Sequence, residues 1–222
     1  MIKMIGFDLD GTLCDSVPLC IEAFSKAVAP YTDHVLTKEE IVSTFGLNEE
    51  GMIKAVVKHG WKNALHDFYE YYQNLHDRCT TPFEGICELL LFLKQNHMIV
   101  PLITGKGKKS CTITLEKLGL TRMFDVILYG SEQYRCKSDN ILYLLETYGI
   151  KEEEFFYIGD TIQDIDDCHR IGVTCLSAAW AKESNTIELK NQNSNTFSSV
   201  SALAKFLEIR ITYSKFSQLN QT

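Results

Sequence analysis

The 222-residue sequence predicts an α/β fold, a doubly wound parallel sheet with an all-helical domain inserted after its first strand. Three observations predict it. Residues 2–9 form a short apolar run that ends in an acidic turn, as a buried strand does. Residues 16–80 carry helical signals and no strand pattern. From residue 84 onward, helical runs and apolar strand-length runs alternate strictly, which calls for right-handed crossovers between parallel strands. The expected domains are 1–15 with 81–222 for the α/β core, and 16–80 for the helical insertion.

Each element has its own signal. Ser16 precedes Val17 and Pro18, a plausible N-cap with proline in the first turn. Ile21, Phe24, Ala27 and Val28 follow at helical spacing. Thr37 with Glu40 fits a capping box, a hydroxyl followed three residues later by a glutamate. Asn48 can cap a third helix, with Met52, Ile53, Val56 and Val57 on one face. A fourth helical run extends from about Asn63 to Arg78. Helix 84–97 then leads to strand 98–103, helix 107–118 to strand 125–129, helix 139–148 to strand 154–159, and helix 163–171 to strand 173–178. These strand runs are apolar throughout, as expected when helices cover both faces of a sheet. The Asn- and Ser-rich segment 184–199 reads as a surface excursion. A last helix is expected at 199–208, and the tail after Arg210 reads as disordered.

Composition sets outer bounds. Hydrophobic residues make up 45% and charged residues 23%, which excludes a disordered or collagen-like chain. The net charge of −7 repels a phosphate backbone, so nucleic acid is not an expected partner. The expected partner is a small phosphorylated metabolite, with the protein a monomer or homodimer. The eight cysteines form no C-x-x-C pair, so they read as small buried hydrophobes in a reducing compartment. No signal peptide or membrane span is visible, and the expected location is the cytoplasm.

In open parallel sheets, ligands bind beyond the carboxyl ends of the strands. The first strand delivers Asp8, Leu9, Asp10, Gly11 and Thr12 to that edge. Strand 98–103 delivers Thr104, Gly105 and Lys106. Strand 154–159 delivers Asp160 and Thr161, with Asp164 one turn later. Such a carboxylate cluster needs an opposing charge, and oxygen ligands suit a divalent cation, Mg²⁺ above all. Thr12 and Thr104 offer hydroxyls, and the adjacent backbone N–H groups can form an anion nest. A carboxylate can attack phosphorus, a metal and a lysine can offset the charge, and a second carboxylate can protonate a leaving alcohol.

FDLDGTLCDS at 7–16 resembles the D-x-D-G-T motif of the haloacid dehalogenase superfamily. LITGK at 102–106 resembles its second motif, and IGDTIQD at 158–164 its acidic fourth motif. PFEGICELLLFLK at 82–94 resembles the segment that re-enters the core from the cap. The resemblance implies a Rossmann-like core with a helical cap. It also implies roles: Asp8 as nucleophile and Mg²⁺ ligand, and Asp10 as general acid/base with its carbonyl on the metal. Asp160 would be a further ligand, and Asp164 a supporter of the metal's water shell or of the lysine. Thr104 and the backbone of Leu9, Gly11 and Thr12 would hold phosphoryl oxygens. Relatives show K-P-x-P at the third motif, whereas this chain reads Arg135-Cys136-Lys137-Ser138. Lys137 has the right place in the order, with Lys106, Lys108 and Lys109 as alternatives.

Asp10 resembles the phosphoryl-transferring members, since dehalogenases proper lack that residue. The superfamily's phosphosugar mutases usually carry a histidine about where Cys20 stands and a cap arginine within 46–51, and both are missing here. DSVP at 15–18 and FGL at 45–47 resemble the phosphoglycolate phosphatase-like hydrolases. The implied activity is Mg²⁺-dependent phosphomonoester hydrolysis through an aspartyl phosphate. The alternatives are a phosphomutase or a non-catalytic phospholigand-binding protein. Phe45, Gly46, Leu47 and Asn48 are the expected substrate-facing cap residues, together with Gly105 and Lys106 of the core. The aromatic run 68–76 reads as core, and Asp166 and Asp167 as a solvated helix face.

Overall fold

The computed structural model describes the backbone of residues 1–219 and the side chains through Thr212. Six parallel strands form one sheet in the order β3-β2-β1-β4-β5-β6. They are β1 (Met4–Phe7), β2 (Pro101–Ile103), β3 (Val126–Leu128), β4 (Phe155–Gly159), β5 (Thr174–Ala178) and β6 (Thr196–Phe197). The chain steps outward from β1 on one side and from β4 on the other. The strand order therefore reverses between β1 and β4, and that reversal opens a crevice at their carboxyl ends.

Period-two alternation divides the apolar residues between two cores. Ile5, Phe7, Phe156 and Ile158 face one cluster, which continues into the helical insertion. Met4, Phe155 and Tyr157 face the other, with Ile141, Leu144 and Cys168. The edge strand β3 is only half-buried, as an edge position requires.

The insertion holds α1 (Val17–Val28), α2 (Lys38–Val42), α3 (Glu49–Val56) and α4 (Trp61–Leu75), the last running into a 3-10 turn at His76–Arg78. The capping box of Thr37 and Glu40 forms as expected. Asn48 caps α3 by accepting from the Gly51 N–H at 3.0 Å. Phe24 of α1 meets Phe68 of α4 edge-on at 6.5 Å, and Phe68 stacks on Tyr72 at 5.5 Å. The aromatic run is thus a helix–helix core, and His76 is buried between Cys79 O and Thr114 Oγ1. Leaving and returning segments touch where the Phe83 N–H donates to Leu13 O at 2.9 Å.

The remaining helices are α5 (Ile86–Gln95), α6 (Lys108–Leu118), α7 (Lys137–Tyr148), α8 (Ile162–Arg170), α9 (Thr186–Gln192) and α10 (Val200–Leu219). Four expectations are corrected. Segment 184–199 holds α9 and β6, because Asn185 and Asn193 cap and brace a short structure whose side chains are mostly polar. Helix α10 continues to Leu219 with Ile211 buried, so the chain is helical past Arg210; residues 220–222 lie outside the described residues. Ser16 makes no capping bond to α1, since its hydroxyl turns to Asp10. Asp167 is buried beside Arg170 and Gln163, while Asp166 is exposed. All eight cysteines are free and seven are buried. Among the described residues, no helix is long and apolar enough to cross a membrane.

Candidate active site

The site begins where β1 ends. The Asp8 N–H donates to Ile158 O at 2.8 Å, so β1 stays tied to β4 one residue past the strand. Leu9 then turns its side chain into the core, which leaves Asp8 and Asp10 on the crevice side. Leu9 can serve the site only through its backbone. Gly11 bends the chain back with φ of +74°, and its N–H donates to Cys14 O at 2.9 Å. A Cβ at Gly11 would lie 2.6 Å from the Asp160 carboxyl carbon. Gly11→Ala therefore combines a strained φ with displacement of Asp160. It is expected to weaken metal binding at least tenfold, read by Mg²⁺ titration of thermal stability.

Helix α7 starts at Lys137, two residues earlier than its pattern predicts, and this aims the lysine across the switch point. Its Nζ lies 3.3 Å from Asp8 Oδ1 and 2.5 Å from Asp164 Oδ1. Asp164 is fixed by the start of α8, where Oδ2 accepts from the Thr161 hydroxyl at 2.7 Å and the Thr161 N–H at 3.0 Å. Both Asp164 oxygens are thus engaged. Of its two expected roles, the geometry places it beside the lysine. Asp160 follows β4 and lies 3.4 Å from the Thr12 hydroxyl.

One oxygen of each of Asp8, Asp160 and Asp164 lies within 4.8 Å of the others. Burial pushes the Asp8 carboxyl up to about 7; Lys137 opposes this, while Asp164 and Asp10 add to it. Burial, with Asp8 and Asp164, also pushes Asp160 well above the carboxylate range. Burial alone would lower the Lys137 ammonium, but Asp164 and Asp8 more than reverse that and keep it charged. Negative charge is therefore in excess at this point. Hard carboxylate oxygens with unrelieved repulsion fit a divalent cation, with Asp8 and Asp160 facing the cavity. The Asp10 carboxylate is engaged by Ser16 and Lys106 and stands outside that cluster.

This arrangement has a pH signature. The folded Asp8 holds its proton up to about pH 7, the unfolded one only to about 3.8. Its contribution to metal-free stability is present at low pH and is lost as pH rises across that window. A cation competes with the proton. Mg²⁺ is expected to raise the melting temperature by about 5 °C or more at saturation, and more at pH 8 than at pH 5. Thermal unfolding with Mg²⁺ and with chelator at both pH values checks this.

A second carboxylate–lysine pair lies beside the first. Asp10 Oδ1 accepts from Ser16 Oγ at 2.5 Å and faces Lys106 Nζ at 3.3 Å. The rival lysines of the sequence are thereby separated. Lys137 serves Asp8, Lys106 serves Asp10, and Lys108 and Lys109 are exposed at the start of α6. Thr104 is buried, and its Oγ1 accepts from the Lys106 N–H at 3.1 Å. It lines a small void with Gly105 and Lys137.

The crevice opens into a cavity of about 410 Å³ between sheet edge and insertion. Of the residues expected to face substrate, Phe45, Gly46, Leu47, Gly105 and Lys106 line this cavity, together with Cys20. Asn48 does not; its side chain is spent on the α3 cap and on Gly130 O at 3.3 Å. Three contributors were not legible. Arg135 reaches in from the core and crowds Gly46, donating to Gln163 Oε1 at 2.8 Å. Ser16 holds Asp10. Glu49, at the first turn of α3, is buried and accepts from the Gly107 N–H at 2.9 Å and from the Ser110 hydroxyl. An acidic first-turn residue is so ordinary that no sequence signal marks Glu49 as a tie to the core.

The family model for haloacid dehalogenase-like hydrolases matches residues 5–178. The chain belongs to this family. Among its relatives, a phosphoglycolate phosphatase of Vibrio cholerae is 28% identical over 191 residues, covering 78% of this chain and 84% of the relative. A pyrophosphatase, PpaX, of Bacillus cereus is 23% identical over 181 residues, covering 81% and 84%. A hydrolase of solved structure from Pseudomonas syringae superposes with a TM-score of 0.77 at 22% identity, covering 94% of this chain and 98% of that one. That last likeness bears on the fold, and it includes the helical insertion of this haloacid dehalogenase-like chain.

Proposed function

We propose that the chain is a Mg²⁺-dependent phosphomonoester hydrolase that works through an aspartyl phosphate on Asp8 and acts on a small phosphorylated metabolite. The observation that carries this reading is the convergence of Asp8, Lys137, Asp160 and Asp164 on the switch point, with Asp10 beside them. When bound, Mg²⁺ would supply positive charge against the phosphoryl oxygens, held by Asp8, Asp160 and the Asp10 carbonyl. Asp8 attacks phosphorus as the P–O bond to the alcohol breaks, and Lys137 opposes its protonation and orients it. Asp10, steered by Ser16 and Lys106, gives a proton to the leaving oxygen. The same residue later takes a proton from the water that releases phosphate. Thr104 and the backbone after Asp10 are the proposed phosphoryl contacts. Residues 16–80 are proposed to act as a cap that excludes bulk water.

The relatives named above support phosphatase chemistry and differ in substrate. The cavity holds Cys20 about where phosphosugar mutases carry a histidine, and residues 46–51 hold no arginine, which favours hydrolysis over mutase action. The test is phosphate release from phosphoglycolate, pyrophosphate, sugar phosphates, nucleotides and an aryl phosphate, with Mg²⁺ and with chelator. Mg²⁺-dependent release is expected from at least one. A sugar phosphate isomerised without free phosphate would select the mutase, and binding without turnover the non-catalytic reading.

A further inference from the structure

The loop that carries Thr104 and Lys106 is gripped from two sides. On the core side the Gly130 N–H donates to Lys106 O at 2.8 Å, and the Lys106 N–H donates to Thr104 Oγ1 at 3.1 Å. On the other side the partners come from the helical insertion. Glu49, in the first turn of α3, accepts from the Gly107 N–H at 2.9 Å with one oxygen and from the Ser110 hydroxyl with the other. Tyr72 of α4 sets its ring 4.3 Å from the Lys106 ammonium, which pairs with Asp10 Oδ1 at 3.3 Å. Tyr72 itself is locked by its hydroxyl to Thr114 Oγ1 at 2.9 Å.

Glu49 is the costly member of this grip, because it is a carboxylate only 2% exposed. In the first turn of a surface helix it could keep its water, and its burial is unfavourable unless charge-assisted bonds replace that water. Both replacements come from the start of α6, so they exist only while insertion and core are in contact. The neighbours of Glu49 are seated the same way. The Asn48 N–H donates to Ser131 O at 2.9 Å, and Gly51 packs so closely on Glu132 O that a Cβ there would collide with it. We infer that Glu49 is a positioning residue: seated on the start of α6, it holds Thr104 and Lys106 in register with Asp10 and so couples docking of the insertion to phosphoryl transfer. This rests on the phosphatase reading and adds a residue to it. With both oxygens engaged, Glu49 acts through the backbone of 104–107. When the insertion lifts, Gly107 and Lys106 lose their partners together, and the loop keeps only its core-side anchor. Lys106 then no longer steers Asp10 toward the leaving oxygen.

The test is amide hydrogen exchange without substrate, so it stands apart from turnover, on wild type, Glu49→Ala, Glu49→Gln and Gly51→Ala. Glutamine can still accept from the Gly107 N–H and can donate to the Ser110 oxygen, so it is the rescue. Alanine at Gly51 leaves Glu49 intact and favours helix α3, but drives a methyl into Glu132 O. Both alanine variants are expected to speed exchange at Asn48, Lys106 and Gly107 about tenfold or more, with β4 and β5 unchanged. Glu49→Gln is expected to stay within about threefold of wild type. On a substrate that wild type hydrolyses, Glu49→Ala is expected to lower kcat about tenfold or more with KM within about threefold, and Glu49→Gln to restore kcat. Exchange that stays slow in whichever alanine variant folds, or that speeds up equally in β4 and β5, would overturn the inference. So would a raised KM at unchanged kcat. Failure of the phosphatase reading is seen separately, as no phosphate release from the substrate panel by wild type, and the exchange pattern then still decides whether Glu49 holds the loop.

Discussion

Asp8→Asn is expected to cut phosphate release by about 10³-fold or more, while raising the melting temperature of the metal-free protein at pH 8. The two effects have one cause. Asp8 is a carboxylate whose ionisation the fold opposes, since it is buried and faces Asp164 and Asp10, with Lys137 as the close counter-charge. Asparagine keeps the shape and removes the charge. It also removes the proposed nucleophile, and with it the route to the proposed aspartyl phosphate. Stability and activity should move in opposite directions, and the gain in stability should shrink toward pH 5, where Asp8 holds its proton. Phosphate release and thermal unfolding in chelator, each at pH 5 and pH 8, measure this. An active Asp8→Asn protein would place the nucleophile elsewhere.

Lys137→Met is expected to do the reverse for stability. It strips the counter-charge from three carboxylates that share less than 4.8 Å. Breaking a buried ion pair from one side costs about 3–5 kcal/mol, enough to lower the melting temperature by about 10 °C in a domain of this size. The loss should be larger at pH 8 than at pH 5, because protonation then substitutes for the lysine. Activity should fall about 10²- to 10³-fold, as expected when a charge that stabilises the transferring group is lost. Mg²⁺ should restore much of the stability and little of the activity, since a cation replaces the charge but not the orientation of Asp8. Equal melting temperatures for the variant and wild type would show that the cluster is compensated by other means.

What was legible in the sequence follows from the kind of signal each part carries. The central strands are apolar runs ended by turn residues, so β1, β4 and β5 were visible, and with them Asp8, Asp10 and Asp160 at their ends. β6 has two residues, Thr196 and Phe197, and no pattern can announce so short a strand. Its support comes from Asn193, whose side chain bonds Cys175 O and Ser177 Oγ on the neighbouring strand. Ser16 had a textual role as a cap and a spatial role as the partner of Asp10, and only the turn at Gly11 decides between them. The two lysines could be ordered but not assigned, because Lys106 and Lys137 reach neighbouring aspartates from different crossovers. Asn48 looked like a substrate contact because of its place in the cap loop, but its amide is used up locally.

The hydrogen bond between Phe83 and Leu13 has a consequence for how this molecule can change over time. The chain leaves the sheet and returns to it at points that are already joined. The ends of the insertion are held by the core, so its length enters the cost of closure only logarithmically. Residues can be gained, lost or exchanged between those two points without re-routing a strand. What inheritance must preserve is narrower: a tyrosine face for Lys106 and a carboxylate to meet the start of α6. The helical part can therefore change in length and sequence while the carboxylate-bearing edge of the sheet stays as it is.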